Sequence, residues 1–125
     1  MTEQKINNFM LRIEELVDLK IINNIVFGGA GFIGSHLIER LLRNNQNVIC
    51  IDNLSSGSLK NLIHLKDNKN FYFIKHDILN EMSCKLLIEK IWHLASPASP
   101  KSYQSNPLTT IRTNFEGTLN ILNLA

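Results

Sequence analysis

The stretch Asn-Ile-Val-Phe-Gly-Gly-Ala-Gly-Phe-Ile-Gly at residues 24–34 decides the fold. Its apolar start is typical of a short buried strand. After the glycines, apolar residues recur at the spacing of one helix face, namely Ile33, Leu37, Ile38, Leu41 and Leu42. Gly28, Gly31 and Gly34 between them permit a tight turn, the approach of backbone to a pyrophosphate and close packing of helix on strand. Because the helix N-terminus also offers unpaired N–H groups, the turn is a candidate phosphate site.

An acidic residue ends the next predicted strand. Val48 to Ile51 is apolar and β-branched, and Asp52 follows it, 18 residues beyond Gly34. In a dinucleotide-binding βαβ unit, a carboxylate at this place accepts hydrogen bonds from the adenosine ribose and repels a 2′-phosphate. Strand, glycine turn, helix and acid together predict a dinucleotide site and favour NAD over NADP. The alternative is a glycine-rich turn in an unrelated α/β protein.

The rest of the chain alternates between strands and helices. Further strands are predicted at 71–74 and 88–94, helices at 59–65, 79–87 and from 106 onward, and loops at 53–58 and 96–100. Residues 1–20 are predicted as a separate amphipathic helix, which leaves 21–125 as the dinucleotide-binding domain. The alternation predicts an α/β fold with a Rossmann-like, doubly wound parallel sheet that stops after about four strands, in the order 3-2-1-4.

Composition excludes several classes of function. The 125 residues are 44% hydrophobic, and 13 basic against 11 acidic side chains leave a net charge of +2, too small and dispersed for a nucleic-acid footprint. No apolar run approaches the roughly 18 residues of a membrane span. Cys50 and Cys84 stand 34 residues apart with no second pair, and the four histidines show no metal spacing. We expect a cytoplasmic protein without metal, membrane or nucleic-acid partner.

Five segments together resemble a known family. GGAGFIGSHL at 28–37, IDNLSSG at 51–57, KHDI at 75–78, WHLASPASP at 92–100 and TNFEGTLN at 113–120 are similar to the extended short-chain dehydrogenase/reductase family of sugar-nucleotide enzymes. Within it, HLASPASP most resembles the UDP-glucuronate decarboxylases. The resemblance implies an NAD-dependent conversion of UDP-glucuronate to UDP-xylose and carbon dioxide through a 4-keto sugar. Phe27 is a departure, since the family usually has threonine there.

The same resemblance implies the site residues. Those it assigns to the pyrophosphate are Gly28, Gly31, Phe32 and Ile33. Those it assigns to the adenosine ribose are Asp52, Asn53, Ser56 and Gly57. Asp77 and Ile78 would flank the adenine, although Asp77 is equally consistent with a helix N-cap. Residues that would line the cofactor elsewhere are Leu94, Ala95, Ser96 and Thr113. Those that would contact the UDP-sugar substrate are Tyr103 and Arg112.

The family's catalytic base has no counterpart in this sequence. Such enzymes use the tyrosine of Tyr-x-x-x-Lys, but His76 stands four residues after Tyr72, and Pro107 four after Tyr103. We therefore predict no catalytic residue and interpret the chain as the N-terminal, NAD-binding part of a decarboxylase that is inactive alone. The alternatives are half of a nucleotide-sugar 4-epimerase or 4,6-dehydratase, a non-catalytic nucleotide-binding module and a gene remnant. A homodimer stays open as an assembly.

Overall fold

The computed structural model describes residues 21–84 and 86–125, so the helix predicted at 1–20 lies outside the described residues. In chain order the elements are β1 (Ile21–Phe27), α1 (Phe32–Arg43), β2 (Val48–Asp52), two 3₁₀ turns (Leu59–Asn61 and Ile63–Leu65), β3 (Phe71–Lys75), β4 (Leu87–His93), α2 (Pro100–Ser105), α3 (Pro107–Arg112), a π turn (Thr113–Gly117) and α4 (Thr118–Leu124).

The four strands form one parallel sheet in the order β3-β2-β1-β4. This confirms the predicted fold class and strand order. Val26 in β1 is level with Cys50 on one side and Trp92 on the other, so β1 and β2 are central. All five residues of β2 are buried, as expected of a parallel strand that is covered on both faces. Among the described strands β4 is an edge, and its Leu87 is 70% exposed.

Each face of the sheet supports its own hydrophobic cluster, because successive strand residues point to opposite faces. On one face, Val26, Cys50 and Phe73 pack with Ile38 of α1 and with Leu62 between the 3₁₀ turns. The opposite face carries a second cluster, which consists of Ile22, Ile25, Phe27, Ile49, Ile51, Tyr72, Ile78 and Ile121. The helix α4 thus covers the face that α1 leaves open.

One buried polar side chain connects β1 to its surroundings. Asn24 is fully buried, and its Oδ1 accepts a hydrogen bond from Trp92 Nε1 in β4 at 2.9 Å. Its Nδ2 donates to Gln46 Oε1 at 2.8 Å, in the connection between α1 and β2. Both ends of the amide are therefore satisfied, as burial of a polar group requires.

Several predicted elements are wrong in detail. Residues 79–87 contain no helix among their described members, and the 59–65 helix is two 3₁₀ turns. The predicted loop at 96–100 ends in α2, which begins at Pro100 with Ser99 as its N-cap. Ile33 is 69% exposed and does not belong to the buried face of α1. Within the described ranges, no helix has the length and apolarity that a membrane crossing needs.

Candidate functional site

The glycine turn begins where three strand ends meet. Gly28 has a positive φ of 78°, and a Cβ built on it would lie 2.6 Å from the carbonyl carbon and oxygen of Leu94. Its amide donates to Ile51 O at 2.8 Å, while the Leu94 amide donates to Phe27 O at 2.9 Å. Residue 28 must therefore be glycine for two reasons, its backbone conformation and the close approach of the segment after β4.

The other two motif glycines differ in what requires them. A Cβ on Gly34 would collide with the Gly28 carbonyl oxygen and would lie 2.7 Å from Gly29 Cα, so close packing of α1 on the turn requires glycine there. Gly31 has φ −78° and ψ 177°, which any residue can adopt. In the described part of the chain, a Cβ on Gly31 would have only Gly28 O within 4 Å, at 3.4 Å. The fold itself therefore has room for a side chain at Gly31, and glycine at this position suits the close approach of a pyrophosphate to the backbone.

The N-terminus of α1 directly follows Gly31, which is its N-cap. No side chain caps the helix, and its first turn contains no acidic residue. Its first two side chains, Phe32 and Ile33, are 78% and 69% exposed. The first-turn amides of a helix have no partners within the helix and carry the positive end of its dipole. They are suited to binding an anion through backbone N–H groups.

The carboxylate of Asp52 faces the same turn. It is 8% exposed, and its Oδ2 accepts a hydrogen bond from the Ala30 amide at 2.9 Å. Its Oδ1 accepts one from the Leu54 amide at 2.8 Å, and Leu54 has a positive φ of 62°. A Cβ on Gly57 would lie 3.0 Å from Oδ2 and 2.9 Å from Ala30. Because each carboxylate oxygen has two lone pairs, each keeps one acceptor position for a further donor.

A cleft of about 430 Å³ continues along the ends of β2 and β3, lined by Asn53, Lys75, His76, Asp77 and Asn80. Asn53 Nδ2 donates to Asp77 Oδ2 at 3.4 Å, which brings two predicted site residues together. Asp77 Oδ1 accepts from the Leu79 amide at 3.0 Å and closes a turn. The described residues from 78 to 84 contain no helix, so Asp77 is not a helix N-cap.

Ile78, the other residue assigned to the adenine, is 6% exposed. Its side chain packs where a Cβ on Gly117 would collide with it. The side chain therefore belongs to the core, and the Ile78 carbonyl accepts a hydrogen bond from Asn120 Nδ2 at 2.8 Å.

The segment after β4 is tied to the π turn. Ser96 Oγ donates to Asn114 Oδ1 at 2.6 Å, and Asn114 follows Thr113 in the π turn. Ala95 packs against the second hydrophobic cluster. His93 Nε2 lies 2.9 Å from Thr118 Oγ1, while its Nδ1 is buried without a partner among the described residues. Burial lowers the pKa of His93.

The two residues predicted to contact substrate lie on the helices beyond this segment. Tyr103 in α2 is 37% exposed, and its carbonyl accepts from Thr110 Oγ1 at 3.0 Å. Arg112 binds Glu116 through Nε at 3.1 and 3.2 Å and through Nη2 at 2.9 Å. This pairing raises the pKa of Arg112 and lowers that of Glu116. The structure thus gives Arg112 a protein partner four residues further along the same helical segment.

Sequence reasoning missed the residues that hold the turn from behind. The Ala30 carbonyl accepts hydrogen bonds from the Ser58 amide at 3.0 Å and from Asn61 Nδ2 at 2.9 Å. Asn61 is 31 residues from Ala30 along the chain, and it follows no motif whose spacing would single it out. In the described residues, no group of three or more histidine, cysteine or acidic side chains could hold a metal ion.

Comparison with known proteins establishes the family. The model of the family described as GDP-mannose 4,6 dehydratase matches residues 25–125. The chain belongs to this family. UDP-glucuronic acid decarboxylase 4 of Arabidopsis thaliana is 47% identical over 106 residues, which cover 85% of this chain and 24% of that protein. The chain therefore spans about a quarter of the length of this relative. The predicted resemblance to UDP-glucuronate decarboxylases is confirmed.

Solved structures agree with the fold. UDP-glucose 4-epimerase of Thermotoga maritima, solved with UDP-glucose, matches with 34% identity and a TM-score of 0.66, over 82% of this chain and 33% of that one. UDP-glucose 4-epimerase of Thermus thermophilus, in complex with NAD, matches with 29% identity and a TM-score of 0.64, over 82% and 33%. The chain thus has the Rossmann-like architecture of enzymes that act on nucleotide sugars.

Proposed function

We propose that the chain binds NAD and forms the N-terminal, nucleotide-binding part of a UDP-glucuronate decarboxylase. The observation that carries this proposal is the glycine turn, where the fold does not itself require glycine at Gly31, no side chain caps the N-terminus of α1, and the Asp52 carboxylate accepts from the Ala30 amide. The solved relative in complex with NAD supports the choice of cofactor.

Each part of the site has a role in this proposal. The first-turn amides of α1, from Phe32 and Ile33, bind the pyrophosphate, since they are open to an anion. Asp52 accepts hydrogen bonds from the ribose hydroxyls at its remaining lone pairs, and Asn53 with the Ser56–Gly57 loop encloses the ribose. Asp77 borders the cleft that takes the adenine. When bound, NAD supplies hydride transfer, and the protein supplies position and electrostatics.

The far end of the site orients the rest of the cofactor. The backbone of Leu94 and Ala95 lies against Gly28, so this segment lines the crevice at the carboxyl ends of the strands. Ser96, held by Asn114, and Thr113 complete that wall. Tyr103 and Arg112 remain candidates for substrate contact, which for Arg112 requires that it leave Glu116.

Titration calorimetry with NAD and NADP tests the cofactor. We expect NAD to bind, and NADP to bind at least about tenfold more weakly, since its 2′-phosphate would meet the Asp52 carboxylate. A folded sample that binds neither nucleotide, or prefers NADP, contradicts the proposal. Light scattering on the same sample tests whether the chain forms a homodimer.

A 4-epimerase is the second candidate, since the solved relative from Thermotoga maritima is named as one. The decarboxylase relative has the higher identity, 47% against 34%, and therefore leads. Assay of a full-length enzyme that contains this chain distinguishes the two. A decarboxylase releases carbon dioxide from UDP-glucuronate, whereas an epimerase inverts the C4 hydroxyl and keeps every carbon.

A further inference from the structure

The peptide group between Ala30 and Gly31 is held by three hydrogen bonds. Its carbonyl oxygen, from Ala30, accepts from the Ser58 amide at 3.0 Å and from Asn61 Nδ2 at 2.9 Å. Its N–H, from Gly31, donates to Gly28 O at 3.3 Å. The side chain of Asn61 provides the shortest of the three, and the other two come from backbone groups.

This peptide stands directly before α1, whose helical residues begin at Phe32. Any rotation of it moves the first-turn amides that follow. The backbone resists such rotation weakly, because glycine at position 31 has access to both negative and positive φ. The Ala30 methyl group is buried in the first hydrophobic cluster and anchors one end of the peptide, whereas Gly31 at the other end has no side chain. The orientation of the peptide therefore depends on its hydrogen bonds together with the packing of Ala30.

The preceding peptide, between Gly29 and Ala30, is held separately. Its N–H donates to Asp52 Oδ2 at 2.9 Å. Asp52 and Asn61 thus hold opposite sides of Ala30, which is itself fully buried. The segment from 52 to 61 fixes the middle of the glycine turn by two side chains, and only Asp52 belongs to the cofactor site as predicted.

We propose that Asn61 is a positioning residue, which holds the Ala30–Gly31 peptide so that the first-turn amides of α1 are pre-oriented for the pyrophosphate of a dinucleotide. Asn61 acts through the turn and does not touch the cofactor. This proposal rests on the proposed NAD-binding function. It predicts that loss of the Asn61 amide lowers the fraction of chains whose turn is competent to bind, and that the apparent dissociation constant rises by the reciprocal of that fraction.

The test combines calorimetry with nuclear magnetic resonance on the same 125-residue chain. For Asn61→Ala we expect NAD to bind roughly five- to tenfold more weakly, the effect of losing one hydrogen bond from the competent state. Relaxation dispersion should show new exchange at the Ala30 and Gly31 amides, and saturating NAD should suppress it. A purely structural role would not produce exchange confined to the turn.

Asn106→Ala is the matched control. It also removes one asparagine bond to backbone, from the Thr109 amide to Asn106 Oδ1 at 3.1 Å, but at the start of α3. We expect this variant to keep the NAD affinity of the parent and to show no new exchange at the Ala30 and Gly31 amides.

Unchanged NAD affinity in folded Asn61→Ala overturns the inference and leaves the proposed function intact. Loss of affinity that follows loss of helical circular dichroism, in Asn61→Ala and in Asn61→Ser alike, assigns Asn61 to folding and also overturns it. Failure of the parent chain to bind NAD is a different result, because it rejects the proposed function itself.

Discussion

Among single residues, the glycines of the turn differ in whether the fold or the proposed ligand requires them. Gly28 and Gly34 are required by contacts inside the protein, whereas a Cβ on Gly31 meets no described protein atom closer than 3.4 Å. We therefore expect substitution at the three glycines of the pattern to affect stability and NAD affinity differently. The difference can be measured, because stability and NAD affinity are independent observables.

We predict that Gly31→Ala weakens NAD binding by about tenfold or more, ~1.4 kcal/mol, while the midpoint of urea unfolding stays close to that of the parent. The added methyl group enters the space assigned to the pyrophosphate. Gly34→Ala is the counterpart, and it should lower the free energy of unfolding by about 1–3 kcal/mol, because its methyl group collides with the turn. Equal effects of the two substitutions on stability would argue against this division.

Asp52→Asn should destabilise the folded chain even without a ligand. Both carboxylate oxygens accept from backbone amides, so an amide nitrogen in place of either oxygen would face the N–H of Ala30 or Leu54. We expect the free energy of unfolding to fall by about 1–3 kcal/mol, the cost of a buried donor left unsatisfied. Chemical denaturation measures this change. If the variant is as stable as the parent, the carboxylate does not organise the turn.

Spacing in the sequence encodes part of the geometry of the turn. Gly28 and Asp52 follow from the order of strand, turn and strand, and the structure places their segments together. Asn61 could not be predicted, because its partner is a backbone carbonyl 31 residues away and backbone groups leave no mark in sequence. Ile33 has the helical spacing of a core residue, but it lies in the first turn of α1, where its side chain is exposed.

Among elements, local hydrogen bonds explain the helix that did not form after β3. Asp77 Oδ1 accepts from the Leu79 amide, and His76 Nε2 lies 3.0 Å from the Asn80 carbonyl. Side chains that bind nearby backbone compete with the helical pattern. At α2 the sequence analysis predicted a loop where a helix begins. There the Ser99 hydroxyl accepts from the Ser102 amide at 3.2 Å, and Pro100 follows. A serine cap before proline is a helix start that the sequence does contain.

The contact between β4 and α4 should make stability depend on pH through His93. Burial lowers the pKa of His93 below its ordinary value of 6.5, so the folded chain binds this proton more weakly than the unfolded chain does. The stabilisation is complete above about 6.5 and is lost as the pH falls toward the lower, folded-state pKa. We predict that Tm falls more in the parent than in His93→Gln between about pH 7.5 and about pH 5.5.

Scanning calorimetry across this range measures both proteins. The remaining histidines contribute equally to both, so the difference isolates His93. If Tm changes with pH in parallel in the two proteins, the burial of His93 has no effect on stability.

For the whole molecule, the central position of β2 has a chemical consequence. Cys50 is fully buried between the sheet and α1, and burial, followed by the charge of Asp52, raises the pKa of its thiol well above the ordinary value. Cys84 is exposed. We predict that a thiol reagent modifies only Cys84 in the native chain and both cysteines in denaturant. Absorbance of the released chromophore gives the number of modified thiols. Rapid modification of Cys50 under native conditions would mean that β2 opens without global unfolding.

The fold as a whole was predictable because it follows from alternation of strands and helices, which hydrophobic spacing reveals. The site was predictable only as a set of strand ends, since sequence order places those ends at one edge of a parallel sheet. The pairing of Arg112 with Glu116 has the i,i+4 spacing of a helical ion pair, so the sequence does contain it. The bond from Thr110 Oγ1 to the Tyr103 carbonyl depends on how α2 and α3 lie, which no spacing specifies.

The bond between the Trp92 indole and Asn24 gives the chain an optical probe. Trp92 is the only tryptophan in the sequence, and its ring nitrogen is anchored to the strand beside its own. Separation of that outer strand would release the indole into water and shift its emission to the red. Fluorescence therefore monitors one border of the sheet while thiol labelling monitors its centre, and agreement of the two midpoints would establish a single cooperative unit.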